Sequence, residues 1–67
     1  MVRLFEFYFS KWTPLHYASY YGHTETSKIL LEHQAAVDPL DEWKKTPLHL
    51  AAFNGQTNNA KLLVDHG

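Results

Sequence analysis

Short apolar clusters with helical spacing alternate with polar stretches along this chain. In the first cluster, Leu15 and Ala18 lie three residues apart, which places both side chains on one face of a helix. Leu48 and Ala51 repeat that spacing further along the chain. The pattern predicts two helices, each of which presents a small alanine where a neighbouring helix can approach closely.

A second apolar cluster follows each of these helices. We expect Ile29–Leu30 and Leu62–Leu63 to be buried by a second helix in each unit. These second helices are predicted to start near Thr24 and Thr57, whose hydroxyls are suitable N-caps. Each unit is therefore predicted to be a helix, a turn and a helix.

The two units repeat in constant register, with an offset of 33 residues. The repeated positions are Thr13-Pro14-Leu15-His16 with Thr46-Pro47-Leu48-His49, and Ala18, Gly22, Lys28, Leu30 and His33 with Ala51, Gly55, Lys61, Leu63 and His66. Threonine is a good N-cap, and proline is tolerated at the first helical position because its missing N–H costs nothing there. Each glycine is predicted to supply the left-handed residue that ends the first helix.

The Thr-Pro-Leu-His-x-Ala pattern at this period resembles the ankyrin repeat. The resemblance implies an all-α fold, in which helix-turn-helix repeats stack as a short solenoid with a β-hairpin-like finger between them. It divides the chain into an unassigned apolar leader at 1–7, a first repeat at 8–40 and a second, truncated repeat at 41–67. It also implies that the motif histidines bond to backbone near the fingers.

The sequence departs from the family pattern in two respects. Lys11, Gln34 and Lys44 stand where the family usually has glycine, so we expect left-handed backbone at non-glycine residues, at roughly 1 kcal/mol each. Thr26-Ser27 and Asn59-Ala60 replace the β-branched aliphatic residues of the family, which predicts weakened second helices.

The resemblance further implies that a partner binds at the finger tips and the concave face of the first helices. Carried over residue by residue, those positions are Phe9, Trp12, Tyr20, Tyr21, Leu40, Glu42, Trp43, Lys45, Phe53 and Asn54. Six of them are aromatic, and Trp and Tyr are favoured at interface hot spots. The alternatives are that Trp12 and Trp43 fold back over the fingers, or that the aromatic residues cover the surfaces of absent neighbours.

Composition and charge remove several other functions. The chain has no cysteine and a formal net charge of -1, so it offers neither a thiolate metal site nor a basic stripe for nucleic acid. No apolar run is long enough to span a membrane. Five histidines are present, but equivalent histidines lie one repeat apart, roughly 10 Å if repeats pack like helices, which is too far to share one zinc ion.

We therefore expect a non-enzymatic module that binds a protein or peptide inside the cell, in the cytoplasm or nucleus. No catalytic residue, metal ligand or cofactor is predicted, and the oligomeric state stays open. The alternatives are an incomplete structural fragment of a longer ankyrin array and, more remotely, a histidine-based metal-binding domain.

Overall fold

The computed structural model describes residues 10–67, which form two helical hairpins stacked side by side. The helices are α1 (Pro14–Tyr20), α2 (Thr24–Glu32), α3 (Pro47–Phe53) and α4 (Thr57–His66). Within each unit the two helices pack together, α1 with α2 and α3 with α4. Between units, α1 packs against α3 and α2 against α4. The predicted leader at 1–7 and the candidate Phe9 lie outside the described residues.

The repeated Thr-Pro motif starts the first helix of each unit, as predicted. The Thr13 hydroxyl accepts from the backbone N–H of His16 at 3.3 Å, and the Thr13 N–H donates to Nδ1 of the His16 ring at 3.0 Å. Thr46 and His49 form the same reciprocal pair. Histidine thus occupies the position, and makes the hydrogen bond, of the Glu or Gln that usually completes a capping box.

The second helices start at Thr24 and Thr57, as predicted, but their N-caps lie one residue earlier. His23 and Gln56 are the N-cap residues, because their carbonyls accept the first helical bonds from Ser27 at 3.0 Å and from Ala60 at 2.9 Å. The prediction that Thr24 and Thr57 cap these helices was wrong, since both are already helical.

Gly22 and Gly55 end the first helices with φ of 73° and 70°, the left-handed geometry that was predicted. Their surroundings differ. A Cβ on Gly22 would collide with the Gln56 side chain, whereas a Cβ on Gly55 would meet nothing within 4 Å. The Gln56 amide donates to the Tyr20 carbonyl at 3.2 Å, so this close approach belongs to the contact between the two units.

The two glycines therefore form a matched pair for mutation. Gly55→Ala is expected to lower the free energy of unfolding by about 1 kcal/mol, the cost of left-handed backbone alone. Gly22→Ala should cost about 1 kcal/mol more, because Gln56 must move and lose its bond to Tyr20. Urea unfolding of both variants measures the difference, and equal losses would show that Gln56 adapts without cost.

The residues expected to replace glycine do adopt left-handed backbone. The φ angles are 60° at Lys11, 70° at Gln34 and 63° at Lys44. Ser10 is also left-handed, at 56°, which the sequence did not indicate.

Gln34 follows α2 and is exposed, so it offers a simple test of this backbone cost. Gln34→Gly is expected to raise the free energy of unfolding by about 0.5–1 kcal/mol, because glycine adopts this geometry without steric cost. Lys28→Gly in the middle of α2 is the control and should lower it by about 1 kcal/mol. Thermal melts of both proteins check the sign of each change in stability. A destabilised Gln34→Gly would mean that the glutamine side chain makes a stabilising contact that outweighs the backbone cost.

The core lies between the four helices. Leu15, Ala51 and Leu63 form its buried centre, and partly buried residues surround it: Leu30, Leu31, Val37, Leu48 and Ala60. Leu63 and Leu30 thus confirm the predicted burial in part. Ile29, however, is 49% exposed, so its predicted burial was wrong. Ser27, Leu30 and Leu31 form the inner face of α2, and Ile29 lies off that arc.

Two of the polar residues in the second helices, Ser27 and Asn59, are buried and hydrogen-bonded to each other. Asn59 is fully buried, and its carbonyl oxygen accepts from the Ser27 hydroxyl at 2.8 Å. Its amide nitrogen lies 2.9 Å from the hydroxyl oxygen of Ser19, to which it donates. The group therefore joins α1, α2 and α4. Within residues 10–67, no buried side-chain polar atom lacks a hydrogen-bond partner.

Candidate functional site

A buried carboxylate organises the second finger, the turn at residues 40–45, which corresponds to the first finger at residues 9–12. Asp41 is only 5% exposed, and one of its oxygens accepts from the backbone N–H groups of Trp43 at 2.8 Å and Lys45 at 2.7 Å. The other oxygen accepts from the indole N–H of Trp12 at 3.0 Å. One side chain thus fixes the turn of its own finger and holds it against the first repeat.

The surroundings of Asp41 favour its charged form. Burial alone would raise the pKa, but the N–H groups of Lys45, Trp12 and Trp43 outweigh it. The pKa of Asp41 therefore falls below its ordinary value. Asp41 is therefore a fixed negative charge that structures the finger.

The finger is a tight turn rather than a hairpin of two strands. The Asp41 N–H donates to the Lys45 carbonyl at 3.0 Å, and the Lys44 N–H donates to the Asp41 carbonyl at 3.0 Å. No strand occurs in residues 10–67, so the β-hairpin detail of the prediction is not confirmed. The Glu42 N–H donates to the Ser10 carbonyl at 2.8 Å, which places the second finger beside the first.

His16 ties this finger to α1 from inside. Its Nδ1 accepts from the Thr13 N–H, so Nε2 carries the proton and donates to the Lys45 carbonyl at 2.9 Å. The ring is completely buried. A backbone bond near the finger is the role that the resemblance implied for this histidine, whereas the equivalent His49 is exposed.

Trp12 connects the finger with the end of α1. Its half-buried ring packs edge-on against Tyr17 at 4.8 Å between centroids and lies tilted against Tyr20 at 5.3 Å. Tyr20 in turn contacts Tyr21 edge-on at 5.0 Å. Trp12 of the first finger and Tyr20 and Tyr21 at the end of α1 therefore form one continuous cluster.

The ends of the two first helices lie next to each other. The Asn54 side-chain amide donates to the Tyr20 carbonyl at 2.8 Å, which fixes the end of α3 beside the end of α1. Tyr21 and Phe53, one on each helix end, are 58% and 83% exposed. The structure thus brings together all four helix-end residues that were predicted as binding positions.

The finger tip also carries exposed side chains. Leu40 is 58% exposed and Trp43 is 56% exposed, and both Glu42 and Lys45 are exposed beside them. Their positions are set by the Asp41 turn, whose backbone bonds include both Trp43 and Lys45.

Comparison with known proteins decides the family. A family model described as ankyrin repeats (3 copies) matches residues 3–67. The chain belongs to the ankyrin-repeat family. The comparison with curated proteins found no match.

Ankyrin repeats are generally non-enzymatic modules for protein–protein interaction. The family model and the four helices confirm the resemblance that rested on the Thr-Pro-Leu-His motif. They also confirm an all-α stack of helical hairpins.

Sequence reasoning missed two residues of this ankyrin site. Asp41 is not among the predicted binding positions, although an Asp at the start of a turn often accepts from backbone N–H groups close by. Tyr17 was not considered, although it lies one helical turn before Tyr20, on the same face of α1. Both residues contact predicted binding positions and help to hold them in place.

Residues 10–67 contain no cluster of three or more His, Asp or Glu side chains that could hold a metal ion. Among the same residues, no helix is long and apolar enough to cross a membrane.

Proposed function

We propose that this ankyrin chain is a non-enzymatic interaction module that binds a protein or peptide through its second finger and the adjoining ends of α1 and α3. The observation that carries the proposal is the exposure of four large apolar side chains at those positions: Tyr21, Leu40, Trp43 and Phe53. Large exposed apolar side chains concentrated at such positions mark interaction sites.

The scaffold behind these side chains is already ordered. Asp41 fixes the finger, and Asn54 joins the helix ends through the Tyr20 carbonyl. A surface that is held in place before binding loses less conformational entropy when a partner arrives. Trp43 and Phe53 are therefore the side chains from which we expect the largest contributions to affinity.

The rim of this surface is polar. Glu42 and Lys45 flank Trp43 and are exposed, and Lys44 lies between them. Charges at the rim of an interface select among partners and influence association rates more than they add affinity. The partner we propose is a protein or peptide rather than nucleic acid, and the compartment is intracellular, cytoplasmic or nuclear, as is common for this family.

Selection of a displayed peptide library on the immobilised chain, followed by titration of one selected peptide, tests the proposal. Trp43→Ala and Phe53→Ala are expected to weaken binding at least about tenfold, as hot-spot residues do. Ile29→Ala is the control, because Ile29 is also an exposed apolar residue but lies on α2, outside the proposed surface. Unchanged affinity in both test variants, with their circular dichroism intact, would refute this binding surface.

A further inference from the structure

The internal repeat allows the effect of a neighbouring unit to be seen directly. Residues of the same type, in equivalent positions, differ in burial between the two units. Leu15 and His16 are buried where the equivalent Leu48 is half-buried and His49 is exposed. Pro47 and Leu63 show the reverse, since both are buried while Pro14 is exposed and Leu30 is half-buried.

These differences define two opposite faces. Ala18 and Ala51 are both buried, so packing within each unit is alike and the differences arise from the other unit. Unit 1 meets unit 2 through Leu15, His16, Ser19, Ser27 and Leu31. The equivalent surface of unit 2, which we name the tail face, consists of Leu48, His49, Ala52, Ala60 and Val64.

The opposite end of the molecule carries the matching surface. Unit 2 meets unit 1 through Pro47, Leu50, Asn59 and Leu63. The equivalent surface of unit 1, which we name the head face, consists of Pro14, Tyr17, Thr26 and Leu30. An apolar cavity of about 510 Å³ opens beside Pro14 and Leu30 of this face.

The side chains that would fill such a cavity are present on the tail face. Val64, the equivalent of the partly buried core residue Leu31, is 62% exposed, and Leu48 is half-buried. Neither face contains Asp, Glu, Lys or Arg, so the contact leaves no such charge without a partner.

A polar group on the tail face points to the same partner. Nε2 of His16 donates to the Lys45 carbonyl of unit 2. His49 makes the same bonds to Thr46 through Nδ1, but its Nε2 has no hydrogen-bond partner among residues 10–67. In the equivalent contact, Nε2 of His49 would donate to a finger carbonyl of the unit that follows. In a second copy, the first finger supplies such a carbonyl, and it lies beside the head face that matches the tail face.

We propose that the tail face of one copy binds the head face of a second copy, so that the chain associates head to tail in solution. A contact between two different faces is heterologous and can continue from copy to copy. Unit 2 of one chain would then pack against unit 1 of the next chain in the same way that unit 1 packs against unit 2 within one chain.

The contact between copies lacks one feature of the contact within the chain. The equivalents of Ser19, Ser27 and Asn59 are Ala52, Ala60 and Thr26, so the buried hydrogen-bonded group has no counterpart. The contact between copies is therefore apolar and weaker, and association should depend on protein concentration.

Analytical ultracentrifugation of the full chain over a series of concentrations tests the proposal. The mass-average molar mass is expected to rise above that of a single chain. Ala52→Arg should abolish the rise, because Ala52 is exposed in the single chain whereas its equivalent Ser19 is buried by unit 2. Asn58→Arg on α4 is the control with the same added charge. Its equivalent Glu25 stays exposed beside unit 2, so association should persist.

A mixing experiment distinguishes head-to-tail contact from a symmetric dimer. Thr26→Arg blocks the head face, and Ala52→Arg blocks the tail face of a different protein. Each variant alone should be monomeric, whereas an equimolar mixture should form a dimer and no larger species, because one intact face of each remains. Circular dichroism confirms that both variants are folded.

Three results would overturn the proposal. The first is a wild-type chain that is monomeric at every concentration, as expected if these faces serve only further repeats of a longer polypeptide. The second is association that Ala52→Arg leaves unchanged, and the third is a mixture that stays monomeric. Peptide binding through Trp43 would be unaffected by any of them, so a failure here leaves the proposed function standing.

Discussion

Asn59→Ala is expected to lower the free energy of unfolding by about 3 kcal/mol. Asn59 is fully buried and joins three helices through Ser27 and Ser19. Its removal leaves the Ser27 hydroxyl without an acceptor and creates a cavity, and each of these effects costs on the order of 1–3 kcal/mol. Such a loss is a large part of the stability of a small domain, and urea unfolding followed by circular dichroism measures it.

The repeat supplies the control for this change. Thr26 occupies the equivalent position in unit 1 and is exposed, so Thr26→Ala should change the free energy of unfolding by less than about 0.5 kcal/mol. Replacing Asn59, Ser19 and Ser27 together with Leu, Ala and Ala should recover part of the loss, since no polar group then remains unpaired. Equal losses for the triple and the single variant would show that shape, rather than hydrogen bonding, sets the cost.

The local signals of the sequence predicted the backbone well. Thr13-Pro14 and Thr46-Pro47 announced helix starts, because capping and the missing proline N–H are determined within a few residues. The family register placed Lys11, Gln34 and Lys44 at left-handed positions, and the structure confirms all three.

Contacts across the repeat could not be predicted in the same way. Asn59 reaches Ser27 and Ser19 from 32 and 40 residues away, and the Asp41 carboxylate reaches Trp12 from 29 residues away. When each position is read separately from the sequence, a polar residue in an apolar position of a helix indicates lost hydrophobic area. Only the stacking of α4 on α1 and α2 brings three such residues together, where each satisfies another.

Equivalent positions also differ in burial, and the sequence of a single repeat does not predict these differences. Leu63 is buried and Leu30 is half-buried, although residue type and register are the same, because Leu63 packs against unit 1. The candidate binding site depends on the same kind of information. Trp12 and Trp43 are both aromatic finger residues but lie two positions apart in the repeat register, and Trp12 packs against Tyr17 and Tyr20 while most of Trp43 is exposed.

Asp41→Ala is expected to lower the free energy of unfolding by about 2–3 kcal/mol and to release the second finger. The substitution removes the acceptor of three N–H groups, those of Trp12, Trp43 and Lys45, and hydrogen bonds to a charged group contribute about 1.5–3 kcal/mol each before the exposed groups regain water. Hydrogen exchange should show faster exchange at the Trp43 and Lys45 amides than in α3.

Asp41→Asn separates the two functions of this side chain. The amide oxygen of asparagine can still accept from the Trp43 and Lys45 backbone, but its NH₂ group would face the Trp12 indole N–H, another donor. Asp41→Asn should therefore retain a slowly exchanging finger and lose only the hydrogen bond from Trp12, with a destabilisation of about 1–2 kcal/mol. Fast exchange at both amides in this variant would contradict the assignment of the two oxygens.

The charge of Asp41 makes this contribution dependent on pH, and its sign follows from the lowered pKa. Since the folded-state pKa of Asp41 lies below that of the unfolded chain, folding favours the carboxylate. The stabilisation is complete above about pH 4, the unfolded value, and is lost as the pH falls through the folded value. The wild type should thus exceed Asp41→Asn in stability at neutral pH, with the difference shrinking below about pH 4. Comparison of the two proteins removes the contribution of the other carboxylates, which both share, and a difference that stays constant down to pH 2 would show that the charge of Asp41 does not stabilise the finger.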